Sequence, residues 1–243
     1  MQEQLGITHL LNHLFGGAAA WAMHLVGVPA DPATAINDTF ALEVLVACGL
    51  IAFFLIVRLT LSVEKPNPAQ QLAEMIHEFT GNQGEQVIGH GHEQFQAFVT
   101  CVLLFILFNN FGGLFPHIET PTSKAYVPLG IATLTFLYYN FHGLREQGLL
   151  GYMKQFAGPV WWLAPFMFIV EVISHFARVM SLTIRLYANM LASDLLTLIF
   201  FSIFPLAVPV IFLGLHFAVA LVQAYVFMLL TMIYLSLAVS HEH

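Results

Sequence analysis

The chain has 243 residues, of which 58% are hydrophobic and only 9% are charged. A soluble domain carries about 25% charged residues, so this composition argues against a soluble globular fold and against a disordered chain. The formal net charge of −7 provides no basic surface for a nucleic acid. The composition therefore predicts an all-α integral membrane protein.

Apolar stretches that could cross a bilayer follow one another from residue 40 onward. A membrane pass needs about 20 apolar residues. We predict about five membrane helices, which lie within residues 40–57, 95–115, 125–141, 156–204 and 206–239. We accordingly expect residues 1–39 to form a segment outside the membrane and residues 40–243 to form a single membrane domain.

A short amphipathic helix is predicted between the first two passes. Residues 70–79 place Leu72, Met75, Ile76 and Phe79 on one side. This pattern is typical of a helix that lies at the membrane surface.

The last two apolar stretches predict a long hairpin over about residues 156–240, with Pro205 and Pro209 marking the turn. An unbroken helix over 206–239 would be about 51 Å long, whereas the hydrocarbon core is about 30 Å thick. The two helices should therefore be strongly tilted from the bilayer normal.

The positions of the seven basic residues predict the orientation. None precedes the first pass, whereas Arg58 and Lys65 follow it, and Arg145 and Lys154 follow the third. Because basic residues favour the cytoplasmic side, we expect the N-terminus outside. Five passes then leave the C-terminus in the cytoplasm.

The hairpin carries ionisable side chains, each of which costs about 2.5–3.5 kcal/mol at the bilayer centre. At about 100° per residue, a polar face of the first helix extends around Arg185. Its other members are Glu171, Ser174, Arg178, Ser181 and Asn189, with His175 at the margin. Asp194 falls on the opposite side of the same helix.

Folding the helices back at about position 206 predicts two polar patches. Asp194 should face His216, toward the outside, and Arg185 should face the neighbourhood of Gln223 near mid-membrane. The second patch, around Glu171 and His175, should lie toward the inside. Such groups serve as proton relays in membranes, and this arrangement suits two half-channels that do not connect directly.

Arg185 has no evident carboxylate partner in this chain. A pair of opposite charges about 4 Å apart is worth about 4 kcal/mol at an effective dielectric constant near 20. We therefore expect Arg185 to act on a carboxylate of another subunit and to repel protons that would leak between the half-channels.

Three segments resemble subunit a of the F-type ATP synthase. SLTIRLYANMLASDLL, at 181–196, is similar to the family's pattern around an arginine. LVQAYVFMLLTMIYLS, at 221–236, resembles the C-terminal signature, and NNFGGLFP, at 109–116, resembles a segment at the end of a pass. The resemblance covers most of the chain after about residue 40.

The resemblance implies the stator subunit of a rotary ATP synthase, which conducts protons through two offset half-channels to and from the carboxylates of the c ring. It assigns the essential arginine to Arg185, the channel from the outside to Asn189, Asp194, His216 and Gln223, and the channel toward the inside to Glu171. We take His175, Arg178 and Ser181 as accessory positions.

The resemblance also implies the partners and the location. The partners are the c-subunit ring, the subunit b peripheral stalk, the rest of the complex and the lipid bilayer, in a bacterial inner membrane. Many bacterial members carry an acidic segment before the third pass, but here residues 121–128 read PTSKAYVP, with Lys124 and Tyr126. The resemblance therefore carries over no acidic group there.

We expect no cofactor and no metal site. The sequence has no phosphate-binding P-loop motif, so the chain should not bind or hydrolyse ATP and is not an enzyme by itself. His90 and His92 are spaced like a ligand pair, but further ligands are missing nearby. A solvated loop is the simpler interpretation.

Two other functions remain open from the residues alone. A secondary proton-coupled transporter would show internal repeats and paired helix interruptions, and the sequence has neither. A non-conducting assembly protein would not need Arg185, Asp194 and Glu171 in one hairpin.

Overall fold

The computed structural model describes residues 6–25, 31–63, 65–114, 120–157, 162–203 and 208–239, and these hold seven α-helices and no strand. The helices are α1 (Gly6–Leu25), α2 (Asp38–Leu59), α3 (Pro68–Val87), α4 (Glu93–Phe111), α5 (Tyr126–Ala157), α6 (Ala164–Ile203) and α7 (Val208–Val239). Two single 3-10 turns, Gly112–Leu114 and Pro121–Ser123, lie between α4 and α5. The all-α prediction is confirmed.

Four of these helices, α2, α4, α6 and α7, are long and apolar enough to cross a membrane. The third predicted pass lies in α5, which is not among the four. α5 is long enough, but polar residues such as Asn140 and His142 interrupt its apolar stretch, and Gly148 breaks the helical geometry at φ 70°. Four spans are therefore supported by length and composition, against about five predicted.

The N-terminal segment contains a helix, α1, that the sequence analysis did not predict. Asn12 Nδ2 donates to the Ile36 carbonyl at 3.0 Å, and the Ile36 N–H donates to Asn12 Oδ1 at 2.9 Å. The Thr8 hydroxyl also donates to the Asp38 carboxylate. The bonds of Asn12 attach α1 to the segment before α2, and the bond of Thr8 attaches α1 to the first turn of α2.

The amphipathic helix α3 is longer than predicted, and its polar side is the one that packs against the protein. Gln70, Thr80 and Gly84 are buried, and the Thr80 hydroxyl lies 3.0 Å from that of Thr100 on α4. The apolar side chains Leu72, Met75 and Phe79 are exposed. With its polar side buried and its apolar side exposed, α3 suits a position in which the exposed apolar side contacts lipid.

The core lies where α4, α5, α6 and α7 meet. Its buried members include Ile106 on α4, Tyr139 on α5, Leu186 and Met190 on α6, and Phe227 on α7. Large apolar side chains on the outer faces of α2, α6 and α7 remain exposed. A soluble monomer rarely leaves such extensive apolar surface in water, so these faces suit a lipid environment.

The hairpin of α6 and α7 is antiparallel, as predicted. The Phe200 and Phe212 rings stack with centroids 4.1 Å apart, and the Arg178 guanidinium lies 5.4 Å from the Tyr234 ring centroid. The residue numbers of each pair average 206, so the two helices are paired about this position. The predicted turn at Pro205 lies outside the described residues. With 40 and 32 residues, the helices are about 60 and 48 Å long, well beyond a bilayer core of about 30 Å.

Candidate ion path

The predicted inner patch forms a cluster on α6. His175 Nδ1 lies 3.0 Å from the Glu171 carbonyl oxygen and 3.3 Å from Glu171 Oε1. Because a carbonyl oxygen only accepts, Nδ1 carries a proton in this contact. Arg178 Nη2 lies 3.6 Å from the same Oε1, and its guanidinium covers the Tyr234 ring of α7. One carboxylate thus contacts two basic side chains.

Arg185 lies between the two patches and is half-buried. Within the described part of the chain, no hydrogen bond or ion pair reaches its guanidinium. Its neighbours Leu186 and Met190 are buried in the core. The backbone is therefore fixed by packing, whereas no described side chain neutralises the guanidinium charge.

Gln223 is buried, with 4% of its surface exposed, and its direct partner is Asn189. Asn189 Nδ2 donates to Gln223 Oε1 at 3.0 Å. The sequence analysis predicted that Gln223 would lie in the neighbourhood of Arg185. Its partner in the structure is Asn189, one helical turn from that arginine on α6. The polar contact across the hairpin is therefore amide to amide.

The predicted pairing of Asp194 with His216 is present. His216 Nδ1 lies 3.6 Å from Asp194 Oδ1, and His216 is only 1% exposed. His216 Nε2 lies 3.0 Å from the Asn110 carbonyl oxygen, so Nε2 must carry a proton to donate. Nδ1 is then the nitrogen at which the ring can gain or lose a proton.

Several polar side chains around this pair were not singled out from the sequence. Ser193 Oγ lies 2.8 Å from His216 Nδ1, and the Thr120 hydroxyl donates to Asp194 Oδ1 at 2.7 Å. The Thr122 hydroxyl donates to Asn110 Oδ1 at 2.6 Å. The signal available was the density of small polar residues around Pro121, together with Asn110 inside an apolar stretch.

Gly113 lies against the same cluster. A Cβ atom at this position would lie 2.8 Å from His216 Cε1 and 3.0 Å from Asp194 Oδ1, and it would overlap Thr120 Oγ1. Only glycine leaves this space for the three side chains.

Ser181 is the accessory position that the structure does not bring into either cluster. Its side chain is exposed, and within the described residues it has no hydrogen bond to a group of the ion path. The two clusters are separated along α6 by Arg185. At 1.5 Å per residue, Arg185 lies about 21 Å from Glu171 and about 14 Å from Asp194 along the helix axis.

Comparison with known proteins identifies the family. The family described as ATP synthase A chain matches residues 40–236. ATP synthase subunit a of Koribacter versatilis is 47% identical over 244 residues, which cover 100% of both chains. ATP synthase subunit a of Solibacter usitatus is 41% identical over 96% of this chain and 100% of its own length.

A more distant relative covers less of the chain. ATP synthase subunit a of Bdellovibrio bacteriovorus is 38% identical over 70% of this chain and 74% of its own length. The family match covers most of the chain, and two relatives match over their full lengths. This chain belongs to the ATP synthase A chain family.

Proposed function

We propose that this protein is the stator subunit of a rotary F-type ATP synthase and conducts protons through two offset half-channels. The observation that carries the proposal is the position of Arg185 on α6. Its guanidinium has no partner among the described residues, and an ionisable cluster lies on each side of it along the helix. Arg185 would therefore separate the two half-channels.

Arg185 would act on a carboxylate of the c ring. At about 4 Å and an effective dielectric constant near 20, this pair is worth about 4 kcal/mol. That energy favours the ionised carboxylate by about a thousandfold. Since arginine keeps its charge, the same side chain opposes proton leakage between the half-channels.

The two clusters suit the two half-channels. Asp194 and His216 would accept protons from the outside, and the Asn189–Gln223 amide pair lies between them and Arg185. Glu171, with His175 and Arg178, would pass protons to the inside. The strong tilt of α6 and α7, inferred from their length, would keep both clusters within reach of the membrane surfaces.

The other roles follow from this assignment. The chain would contact the c ring through α6 and would join subunit b and the rest of the complex, in a bacterial inner membrane with its N-terminus outside and its C-terminus in the cytoplasm. ATP chemistry would belong to other subunits.

A secondary transporter would bind its substrate at broken helices, whereas α6 is one helix from Ala164 to Ile203.

Replacement of Arg185 tests the proposal. In inverted vesicles that carry the complex, we expect Arg185→Ala to abolish ATP-driven acidification while the chain still co-purifies with the complex. Arg58→Ala is the matched control, because Arg58 is exposed at the end of α2. Acidification at the parental rate in Arg185→Ala vesicles would refute the proposal.

A further inference from the structure

Asp194 and His216 are separated by more than a hydrogen-bond distance, and each has a buried hydroxyl group beside it. Nitrogen and oxygen atoms that share a proton lie about 2.7–3.2 Å apart. His216 Nδ1 and Asp194 Oδ1 are 3.6 Å apart, although both lie in a closely packed part of the protein. Each of these atoms has a nearer hydroxyl partner, Ser193 for His216 and Thr120 for Asp194.

The hydroxyl of Ser193 suits both protonation states of His216. With Nε2 donating to the Asn110 carbonyl, Nδ1 of the neutral ring accepts from Ser193 Oγ at 2.8 Å. When Nδ1 gains a proton, the same oxygen can accept, since a hydroxyl both donates and accepts. Ser193 thus provides His216 with a neutral partner in both states.

The hydroxyl of Thr120 is likewise a neutral hydrogen-bond partner for Asp194. It donates to Oδ1 at 2.7 Å, on the atom that also faces His216. Thr120 is fully buried, and its position depends on Gly113, where a Cβ atom would collide with the Thr120 hydroxyl. Without Thr120, His216 Nδ1 would be the nearest group able to satisfy that carboxylate oxygen.

We propose that Thr120 and Ser193 are positioning residues of the outer ion path, which prevent Asp194 and His216 from closing into a direct ion pair that would retain the proton. A direct pair with the buried His216 is hard to separate, because the charged ring would be left without its partner. With a neutral hydroxyl on each side, the proton can reside on either group and leave again. This inference rests on the proposed function of Asp194 and His216.

The surrounding groups agree with this role. Among the described residues, Asp194 of α6 is the titratable group in contact with His216. The neutral groups nearby come from Asn110 of α4, Gly113 of the first 3-10 turn and Thr120, which precedes the second turn. The exchange of protons therefore depends on the spacing of one pair. Two hydroxyls from separate segments set that spacing.

The test uses Thr120→Val and Ser193→Ala, singly and together, in the complete complex. We expect either change to let Asp194 and His216 close into a direct pair, so that ATP-driven acidification becomes roughly tenfold slower or more. We expect Thr120→Ser and Ser193→Thr, which retain the hydroxyl, to recover most of the rate. Thr231→Val is the matched control, because the Thr231 hydroxyl is buried but bonds only to its own helix at Phe227.

The outcomes separate this inference from the proposed function. Co-purification of the variant chain with the complex shows that it has folded and assembled. Loss of acidification in Arg185→Ala together with parental rates in the Thr120→Val/Ser193→Ala double variant would refute the inference alone. If the hydroxyl-retaining variants are as slow as Thr120→Val and Ser193→Ala, shape rather than the hydroxyl matters, and the inference is also wrong.

Discussion

Asn189 on α6 and Gln223 on α7 join the two long helices through one amide hydrogen bond of 3.0 Å. The two residues differ in their surroundings, because Gln223 is buried and Asn189 is exposed. The bond lies one helical turn from Arg185. It therefore fixes the hairpin beside the charge that we propose acts on the c ring.

This difference in burial predicts unequal effects of removing either partner. Asn189→Leu strands the buried Gln223 amide, which costs about 1–3 kcal/mol, whereas Gln223→Leu strands the exposed Asn189 amide, which can turn toward other polar groups of the proposed ion path. We expect Asn189→Leu to lower the temperature at which the solubilised complex loses this chain by more than Gln223→Leu does. The Asn189→Leu/Gln223→Leu double variant should recover part of the loss. Equal effects of the single variants would contradict this interpretation.

Gly113 should tolerate no side chain. Gly113→Ala places a Cβ atom 3.0 Å from Asp194 Oδ1 and 2.8 Å from His216 Cε1, so the side chains of Asp194 and His216 must move away from it. We expect acidification to fall by roughly tenfold or more, as for loss of a hydrogen bond to a charged group. Gly130→Ala is the control, since a Cβ atom at Gly130 meets open space. An unaffected Gly113→Ala variant would show that the cluster is looser than its distances indicate.

The cluster of Glu171, His175 and Arg178 depends on the charge of Glu171. Glu171→Gln keeps the size of the side chain but leaves His175 and Arg178 without the carboxylate that both contact. Because the pair is partly exposed, the interaction is worth about 1 kcal/mol or less, and the larger expected effect is on proton transfer itself. We expect slower acidification with normal assembly. Tyr234→Phe, which keeps the ring beneath Arg178, is the control and should remain close to the parental rate.

The hairpin and its pairing could be predicted from the sequence because two regular helices and a turn fix which residues meet. That geometry led to the contact between Asp194 and His216 and to the cluster around Glu171. It located Gln223 less well, since the helical register alone did not show that Asn189 would reach it first. Regular periodicity thus predicted the neighbours of the site but not every hydrogen bond.

The remaining features arise from irregular segments. Thr120 lies 74 positions from Asp194 along the chain and directly precedes a 3-10 turn, where no periodicity indicates the direction of a side chain. Helix α3 shows that a regular pattern can predict a helix without predicting how it packs. Its amphipathic pattern was read correctly, but the pattern does not say that the polar face packs on α4 through Thr80 and Thr100. Such contacts depend on tertiary packing.

The attachment of α1 gives the last prediction. Asn12 is buried and satisfies both the N–H and the carbonyl of Ile36, which is buried as well. Asn12→Ala leaves two buried backbone groups without these bonds, at a cost of about 1–3 kcal/mol each. We expect faster amide hydrogen exchange and earlier protease cleavage in residues 31–37, with little effect in α4 and α7.

His13→Ala is the matched control for this change, because His13 is the next residue in α1 and its side chain is exposed. It alters the helix without touching the bonds to Ile36, so exchange in residues 31–37 should remain at the parental rate. If Asn12→Ala and His13→Ala gave the same exchange rates, α1 would be held by its apolar contacts rather than by Asn12. Faster exchange in Asn12→Ala alone would show that the Asn12 amide holds α1 against the segment that precedes α2.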